Sequence, residues 1–394
     1  MEVCIVGTGM DGRKTLTREA LEAIGEAEVL IGAERMLAPF GQLRKMSFCE
    51  YSTANIVKII SNCKCLKIAV LMSGDCGFYS GASGLLKELE KIPSVSCRIV
   101  SGISTPVYFC AKIGKKWDNM KLVSLHGRDG NIAVNVRQNE FCFFLLGGKV
   151  TPSDVCNTLC RYGLGGVWLY IGENLGCETE NIISGKAENI RDISVGNLCA
   201  VIVENKNFIS YIPSGIDDKY FIREKIPMTK SMVRAIVVSW LNIGKKSICW
   251  DIGCGTGSVS VEMALKCPDG KVFSFDKNSQ AVELTLKNAE KFGCDNIKVY
   301  EGTFPQYDGE KLSPPDSVFI GGSAGKMAEI VSHILKLNPF AKIVITAVSL
   351  ETLSECVGLF EAEITQVAVT KTRKTGSYTM FSAENPIFII RRKF

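Results

Sequence analysis

The residues with the clearest chemical promise lie in SICWDIGCGTGSVS, Ser247 to Ser260, where a hydrophobic run ends in Asp251 and Gly253, Gly255 and Gly257 alternate with small residues. Glycines placed where a strand hands over to a helix let the backbone turn tightly and approach a ligand with no side chain in the way. Free N–H groups at the start of the helix favour negative ligand groups by about 0.3–1 kcal/mol, and by about 2 when partly buried. The spacing is D-x-G-x-G-x-G, not the G-x-G-x-x-G of dinucleotide enzymes. Asp251 would repel a pyrophosphate but suits a ligand with a cationic amino-acid end. The next hydrophobic run, VFSFDKN, ends in Asp276. An acid at that place accepts hydrogen bonds from both hydroxyls of a ribose. Together these features describe a site for S-adenosylmethionine, with its ribose on Asp276 and its methionine end near the glycines. A nicotinamide site and a purely structural turn are the alternatives.

A second glycine-rich loop of different design opens the chain, VCIVGTGMDG, Val3 to Gly12. The elements that would position both loops follow from periodicity. Residues 3–6 read as a strand. In TLTREALEAIGEAEVL, Leu16, Ala20, Leu21, Ala23, Ile24 and Ala27 fall at helical spacing, with Thr15 or Thr17 as cap. KIAVLMSGDCGFYSGASGLLKEL and SCRIVSGISTPVYFCAKIG repeat the order strand, turn, helix. That alternation predicts an α/β layer with a largely parallel sheet. Four apolar segments at 121–127, 140–148, 165–174 and 198–205 predict a second lobe. A polar, Pro- and Gly-containing passage marks a boundary near 205–225. A helix is then expected at 231–241, strands at 247–252, 271–276, 297–301, 317–320 and 341–346, and three consecutive strands in EITQVAVTKTR, SYTMFSA and NPIFIIRRK. A parallel sheet closed by an antiparallel hairpin fits that order.

Composition narrows the class. Basic and acidic residues number 23 and 21 in residues 1–215, and 23 and 20 in 216–394, so neither half is a basic module that grips nucleic acid. The 17 cysteines show no framework or CxxC spacing, and with two histidines a metal site is not expected. They read as small buried hydrophobes of a reducing compartment. The first strand follows Met1 directly, so no signal peptide is expected. No apolar run approaches the roughly 18 residues that span a bilayer; FCFFLL has six. The expectation is a soluble, cytoplasmic protein with neither nucleic-acid nor membrane partners. After the fourth strand of the second half stands SVFIGGSAGK, not the (N/D)-P-P-(Y/F) of enzymes that methylate base amines.

REKIPMTKSMVRA, WDIGCGTGSVSVE, VFIGGSAGKMAEI and AVSLETL form a specific set across 216–394. They resemble the decarboxylating precorrin methyltransferases of cobalamin biosynthesis, the cobalt-precorrin-6B type, which are class I methyltransferases. IVGTGMDGRKTLT, SGDCGFYSG, SGISTPVYFCAKIGKKWDN and LVSLHGR resemble the landmarks of the tetrapyrrole methylase family, the cobalt-precorrin-7 type, over residues 1 to about 205. The combination is similar to the fused precorrin-6Y C5,15-methyltransferase (decarboxylating) family. The resemblance implies an α/β chain, with a two-lobed tetrapyrrole methylase fold at 1–205 (lobes about 1–112 and 113–205), a linker at 206–225, and a Rossmann-like class I methyltransferase with a mixed sheet at 226–394. The two loops would be two unrelated solutions for holding one cofactor, S-adenosyl-L-methionine. The N-terminal half would methylate carbon 5 of a precorrin and the C-terminal half carbon 15, with loss of the ring C acetate carboxyl.

By motif position the resemblance places Thr229, Gly253, Cys254, Gly255, Thr256, Gly257, Asp276, Gly302 and Thr303 at the C-terminal cofactor site. It places Gly7, Gly9, Gly74, Asp75, Ser104 and Thr105 at the N-terminal one. Prolines common in the family's N-terminal loops are replaced by Met10–Asp11, Cys76 and Ser101. The polycarboxylate acceptor makes Arg223, Lys225, Lys230, Arg373 and Lys374 candidate contacts, against the plain reading of solvated surface charge. Gly321, Gly322 and Ser323 offer N–H groups to a carboxylate or make a simple tight turn. His126 is either a proton handler or a hydrogen-bonded structural histidine. A sulfonium methyl needs no nucleophilic side chain, so no catalytic residue and no acid for the decarboxylation are assigned. The family implies a homo-oligomer. An RNA or protein methylase with an added domain, and a C-terminal enzyme carrying a non-catalytic tetrapyrrole-binding half, are the competing readings.

Overall fold

The computed structural model describes residues 1–394 except 11–12, 128, 197, 308–311 and 394. Its α/β architecture is built on three main sheets. In the first, β1 (Glu2–Gly7), β2 (Val29–Gly32), β3 (Met46–Cys49), β4 (Lys67–Met72) and β5 (Ser96–Val100) pair in parallel in the order β3-β2-β4-β1-β5. Helices cover both faces, so β1 and β4 are buried almost throughout and read as continuous hydrophobic runs. The expected helix spans Arg18–Glu26, and the Ala20 N–H donates to the Thr17 hydroxyl, which selects Thr17 as the cap. Leu21, expected on its apolar face, is instead half exposed, because the burying face is that of Ala20, Ala23 and Ile24. β2 starts three residues after that helix, inside the run read as helical, and β3 is an exposed edge strand.

The second sheet contains β6 (Lys121–Ser124), β7 (Phe141–Leu145), β8 (Trp168–Glu173), β9 (Asn181–Lys186) and β10 (Cys199–Glu204), in the order β6-β7-β10-β8-β9. All its pairings except β6 with β7 are antiparallel. β9 is an edge strand with alternating partial exposure, which is why its sequence, NIISGK, does not announce it.

The third sheet runs β14-β13-β12-β11-β15-β16-β20-β17. It comprises β11 (Ile248–Ile252), β12 (Lys271–Asp276), β13 (Ile297–Thr303), β14 (Gln306–Tyr307), β15 (Ser317–Ile320), β16 (Lys342–Ala347), β17 (Ala362–Val367) and β20 (Ile387–Arg392). Strands 13-12-11-15-16 are parallel, and β20 and β17 close the sheet antiparallel. Alternation along the strands splits the core in two. Cys249, Val272, Phe319, Val344 and Ile389 pack on one face, and Trp250, Phe275, Val318, Ile345 and Ile390 on the other. The expected strand EITQVAVTKTR is broken. Its second part, β18 (Thr370–Thr375), pairs only with β19 (Tyr378–Ala383) in a hairpin exposed at every residue.

The halves are tightly docked. The Asp295 carboxylate accepts the N–H groups of Ile132, Ala133 and Val134 at 2.6, 2.9 and 2.9 Å. These start the helix Ala133–Gln138. The Asn131 amide donates to the Pro268 and Gly270 carbonyls, both at 2.8 Å, and Lys121 pairs with Asp269 at 2.7 Å. Among the described residues no helix is long and apolar enough to cross a membrane.

Candidate active site

The parallel strands of the third sheet all deliver their carboxyl ends to one edge, where a cavity of about 520 Å³ opens. Open α/β sheets bind ligands at this edge, and the volume falls in the range of about 300–1,000 Å³ for small-molecule sites. After β11 the chain turns through Gly253, Gly255 and Gly257, at φ +74°, +56° and +72°. A side chain is unwelcome at each. A Cβ on Gly253 would lie 2.7 Å from the Gly322 nitrogen, one on Gly255 2.7 Å from the Pro227 oxygen, and one on Gly257 2.7 Å from Thr285. Gly257 also starts the helix Ser258–Lys266. The Gly253 and Cys254 N–H groups both donate to the Phe275 carbonyl, at 2.8 and 3.0 Å, clamping the turn to the end of β12.

Asp276 stands at the end of β12 on the cavity wall. One of its oxygens accepts the Gly255 N–H at 2.9 Å and the other the Asn278 N–H at 3.0 Å. Each oxygen retains a lone pair for a ligand hydroxyl. Gly253, Cys254, Gly255, Thr229, Gly302, Thr303, Gly321, Gly322 and Ser323 line the same cavity, as the motifs lead one to expect. Thr256 and Gly257 do not. The Thr256 side chain is buried with its hydroxyl unpaired among the described residues, and its carbonyl accepts from Asn288 at 2.8 Å.

Asp251, whose charge suits a cationic ligand end, does not line the cavity. Strand alternation turns it away from the cavity, under the helix Ser258–Lys266, where it is fully buried and accepts the Ser260 hydroxyl. Burial pushes its carboxyl up to about 7. The cationic candidates also fall elsewhere. Arg223 and Lys225 are exposed off the wall, Lys230 reaches Asp218 at 4.0 Å, and Arg373 and Lys374 lie on the projecting hairpin. Chain proximity does not bring these ends to the cleft. The wall also includes Ile226, Pro227, Met228, Phe275, Lys277, Asn278, Thr346, Val348 and Ile387, which the sequence reading passed over. Ile226, Pro227 and Met228 lie in REKIPMTKSMVRA, Val348 in AVSLETL, and Phe275, Lys277 and Asn278 in VFSFDKN, so a motif signal was present for these; Thr346 and Ile387 had none.

In the N-terminal half a cavity of about 450 Å³ lies between the first two sheets, with Gly74, Asp75, Thr105 and His126 on its wall. A neighbouring cavity of about 550 Å³ shares Met10, Arg35, Met36 and Ser73 with it and takes in Gly9. The Gly9 and Gly74 backbones bond to each other at 3.0 and 2.9 Å. Asp75 accepts the Gly77 N–H at 2.8 Å and the Gly102 N–H at 3.0 Å, so it ties two loops together. Gly7 and Ser104 line neither cavity. A Cβ on Gly7 would lie 2.7 Å from the Gly102 nitrogen, which makes Gly7 a packing glycine. His126 packs so closely on Gly147 that a Cβ there would lie 2.7 Å from its Cε1. Cys76 is buried with its thiol near the Ile5 and Val100 carbonyls. Asp11 lies outside the described residues.

The two halves match different families. Residues 220–392 match the precorrin methyltransferase domain, and residues 2–191 match the tetrapyrrole (corrin/porphyrin) methylases. A protein of Saccharolobus solfataricus described as a probable cobalt-precorrin-6B C(15)-methyltransferase (decarboxylating) is 42% identical over 191 residues, 46% of this chain and 96% of its own length. A Salmonella typhimurium protein, described as cobalt-precorrin-6B C(15)-methyltransferase (decarboxylating), is 33% identical over 181 residues, 44% of this chain and 93% of that protein. A crystal structure of precorrin-6Y C5,15-methyltransferase from Geobacter metallireducens covers 46% of this chain and 98% of its own, at 36% identity and a TM-score of 0.43. With a tetrapyrrole methylase half and a precorrin methyltransferase half in one polypeptide, the chain belongs to the precorrin methyltransferase family and is a methyltransferase.

Proposed function

We propose that this protein is a bifunctional, cytoplasmic corrin-ring methyltransferase, divided at 1–205, 206–225 and 226–394, that uses two molecules of S-adenosylmethionine per turnover. Its acceptor is precorrin-6B or the cobalt form, and its product is precorrin-8. The N-terminal half methylates carbon 5. The C-terminal half methylates carbon 15 and removes the ring C acetate carboxyl as carbon dioxide. The observation that carries this reading is the Asp276–glycine-turn cavity, set in a half that is 42% identical to a protein described as a decarboxylating C(15)-methyltransferase.

S-adenosylmethionine supplies an activated sulfonium methyl group. Asp276 keeps an unused lone pair on each oxygen at the cavity wall, and Gly253 and Gly255, on either side of Cys254, leave the backbone of the turn open to a ligand. These residues suit a ribose and an amino-acid tail. Among the described residues Cys254 is the only thiol on this wall, and burial pushes it well above its ordinary range, so it is a small protonated filler and not a nucleophile. The work of the site is alignment of donor and acceptor carbon, which can supply about 7–11 kcal/mol. Methyl transfer would form the new carbon–carbon bond as the sulfur–methyl bond breaks, with its electron pair staying on sulfur and S-adenosylhomocysteine leaving. The acetate then loses its carboxyl as the electrons of the broken bond enter the conjugated ring, and the remaining carbon takes a proton. Gly321, Gly322 and Ser323 line the same cavity and, on this proposal, orient the acceptor.

Mass spectrometry of precorrin-6B incubated with S-adenosylmethionine tests the proposal. Two added methyl groups and one lost carbon dioxide are expected. One methyl with carbon dioxide loss would confine chemistry to the C-terminal half, and no change in mass would refute the acceptor.

A further inference from the structure

One wall of the C-terminal cavity comes from the segment that enters the domain, not from the sheet. Ile226, Pro227, Met228 and Thr229 form it, at the end of a strap that begins near Ile212. The strap has no regular structure beyond the short 3-10 turn Asp218–Tyr220, so something else must hold it.

The holder is a buried ion pair. Arg234, on the helix Ser231–Leu241, and Glu262, on the helix Ser258–Lys266, are both fully buried, with Nε to Oε1 at 2.5 Å. Glu262 accepts the Gly215 and Ile216 N–H groups at 2.7 and 2.8 Å. The remaining Arg234 nitrogens donate to the Ile216 carbonyl, to Asp218 at 3.3 Å and to the Thr229 carbonyl at 2.5 Å. The Phe221 ring lies 4.7 Å from the guanidinium carbon. One planar fork therefore grips the strap at three points along its length. The far side is fixed by Asn288, which bonds both backbone groups of Ile222, at 2.8 and 2.9 Å, and also the Thr256 carbonyl of the glycine turn.

A buried ion pair is weak evidence of stability, because desolvation offsets much of the attraction. Its geometry is better suited to fixing one arrangement. We infer that Arg234 is a positioning residue for S-adenosylmethionine in the C-terminal site: it never touches the ligand, but sets the Ile226–Thr229 wall against the glycine turn. This rests on the proposed cofactor. Lysine would keep the charge and lose the fork, since an ammonium cannot span the same carbonyls and carboxylates.

The test follows carbon dioxide release from precorrin-6B in the full-length chain, with S-adenosylhomocysteine binding measured by calorimetry. In Arg234→Lys the KM for S-adenosylmethionine should rise about tenfold, with kcat at saturation within twofold of wild type and carbon 5 methylation unaltered. The double variant Arg234→Met with Glu262→Met removes both charges together and guards against a folding defect from an orphaned Glu262. It too should lose affinity while keeping its melting temperature. In the wild-type chain, hydrogen exchange of the 228–230 amides should slow when S-adenosylhomocysteine binds. A folded variant with wild-type affinity, or exchange that ignores the ligand, would overturn the inference. A wild-type chain with no affinity for either ligand would overturn the cofactor reading, and this inference with it.

Discussion

Two aspartates 25 positions apart have opposite fates. Asp276 sits at a strand end, partly solvated, with a backbone N–H on each oxygen. Hydrogen bonds to charged groups are worth about 1.5–3 kcal/mol, so Asp276→Ala should weaken S-adenosylhomocysteine binding at the C-terminal site by about ten- to a hundredfold. Calorimetry on the full chain checks this, and an unchanged two-site isotherm would exclude the ribose role. Asp251 is sealed in the core, and burial raises its carboxyl from 3.8 to about 7. The folded chain therefore holds a proton that the unfolded chain has released across that window. The stability this contributes is full below about 3.8 and is lost as pH rises to about 7. Asp251→Asn lacks the titration. Its melting temperature relative to wild type should improve between pH 5 and pH 8, and parallel melting curves at the two pH values would contradict the assignment.

At the scale of elements, the site is a handover from strand to turn to helix. β11 ends, the glycine turn passes under Phe275 and Gly322, and the helix Ser258–Lys266 begins at once. Gly253 needs a positive φ and has backbone where a Cβ would go. Gly253→Ala should lower carbon dioxide release by at least about a hundredfold, the scale of a strained backbone of about 3 kcal/mol. Carbon 5 methylation should persist, because that reaction is assigned to another sheet. In the N-terminal half the equivalent device is the bridge between Gly9 and Gly74. Gly9 has φ +65° and packs on Thr15, so Gly9→Ala should abolish carbon 5 methylation while carbon dioxide release continues. Survival of both methylations in that variant would favour a carrier role for the N-terminal half.

In the whole molecule, the halves are joined by more than a linker. Asp295 of one half caps the short helix Ala133–Gln138 of the other through three N–H groups. Burial raises its carboxyl, and those three donors work against that rise. Asp295→Ala would leave the three N–H groups of Ile132, Ala133 and Val134 without their acceptor at the seam, at about 1–3 kcal/mol for each group left unsatisfied. Calorimetry should then show the two halves melting apart, with the 206–215 segment cut faster by protease. A single transition at the wild-type temperature would show that the seam does not depend on this carboxylate.

Much of this protein was determined by sequence alone, and the reason is local. Period-2 and period-3.6 patterns, the glycine triplet and the acid at the end of β12 act within a few residues of each other. They specified the strands at 271–276 and 317–320, the helix at 231–241 and the core of the C-terminal cavity. What escaped depends on partners distant in the chain. β3 is an edge strand exposed at every residue and β9 an edge strand that is only partly buried, so no clear hydrophobic alternation marks either of them. The β18–β19 hairpin leaves the sheet because β20, not its own sequence, pairs with β17 and β16. Only tertiary packing decided that Asp251 faces inward and Asp276 outward. It also drew the Ile226–Thr229 strap onto the site through Arg234, and kept Arg223, Lys225, Arg373 and Lys374 away from it. A charge in a sequence has no direction until the elements around it are packed.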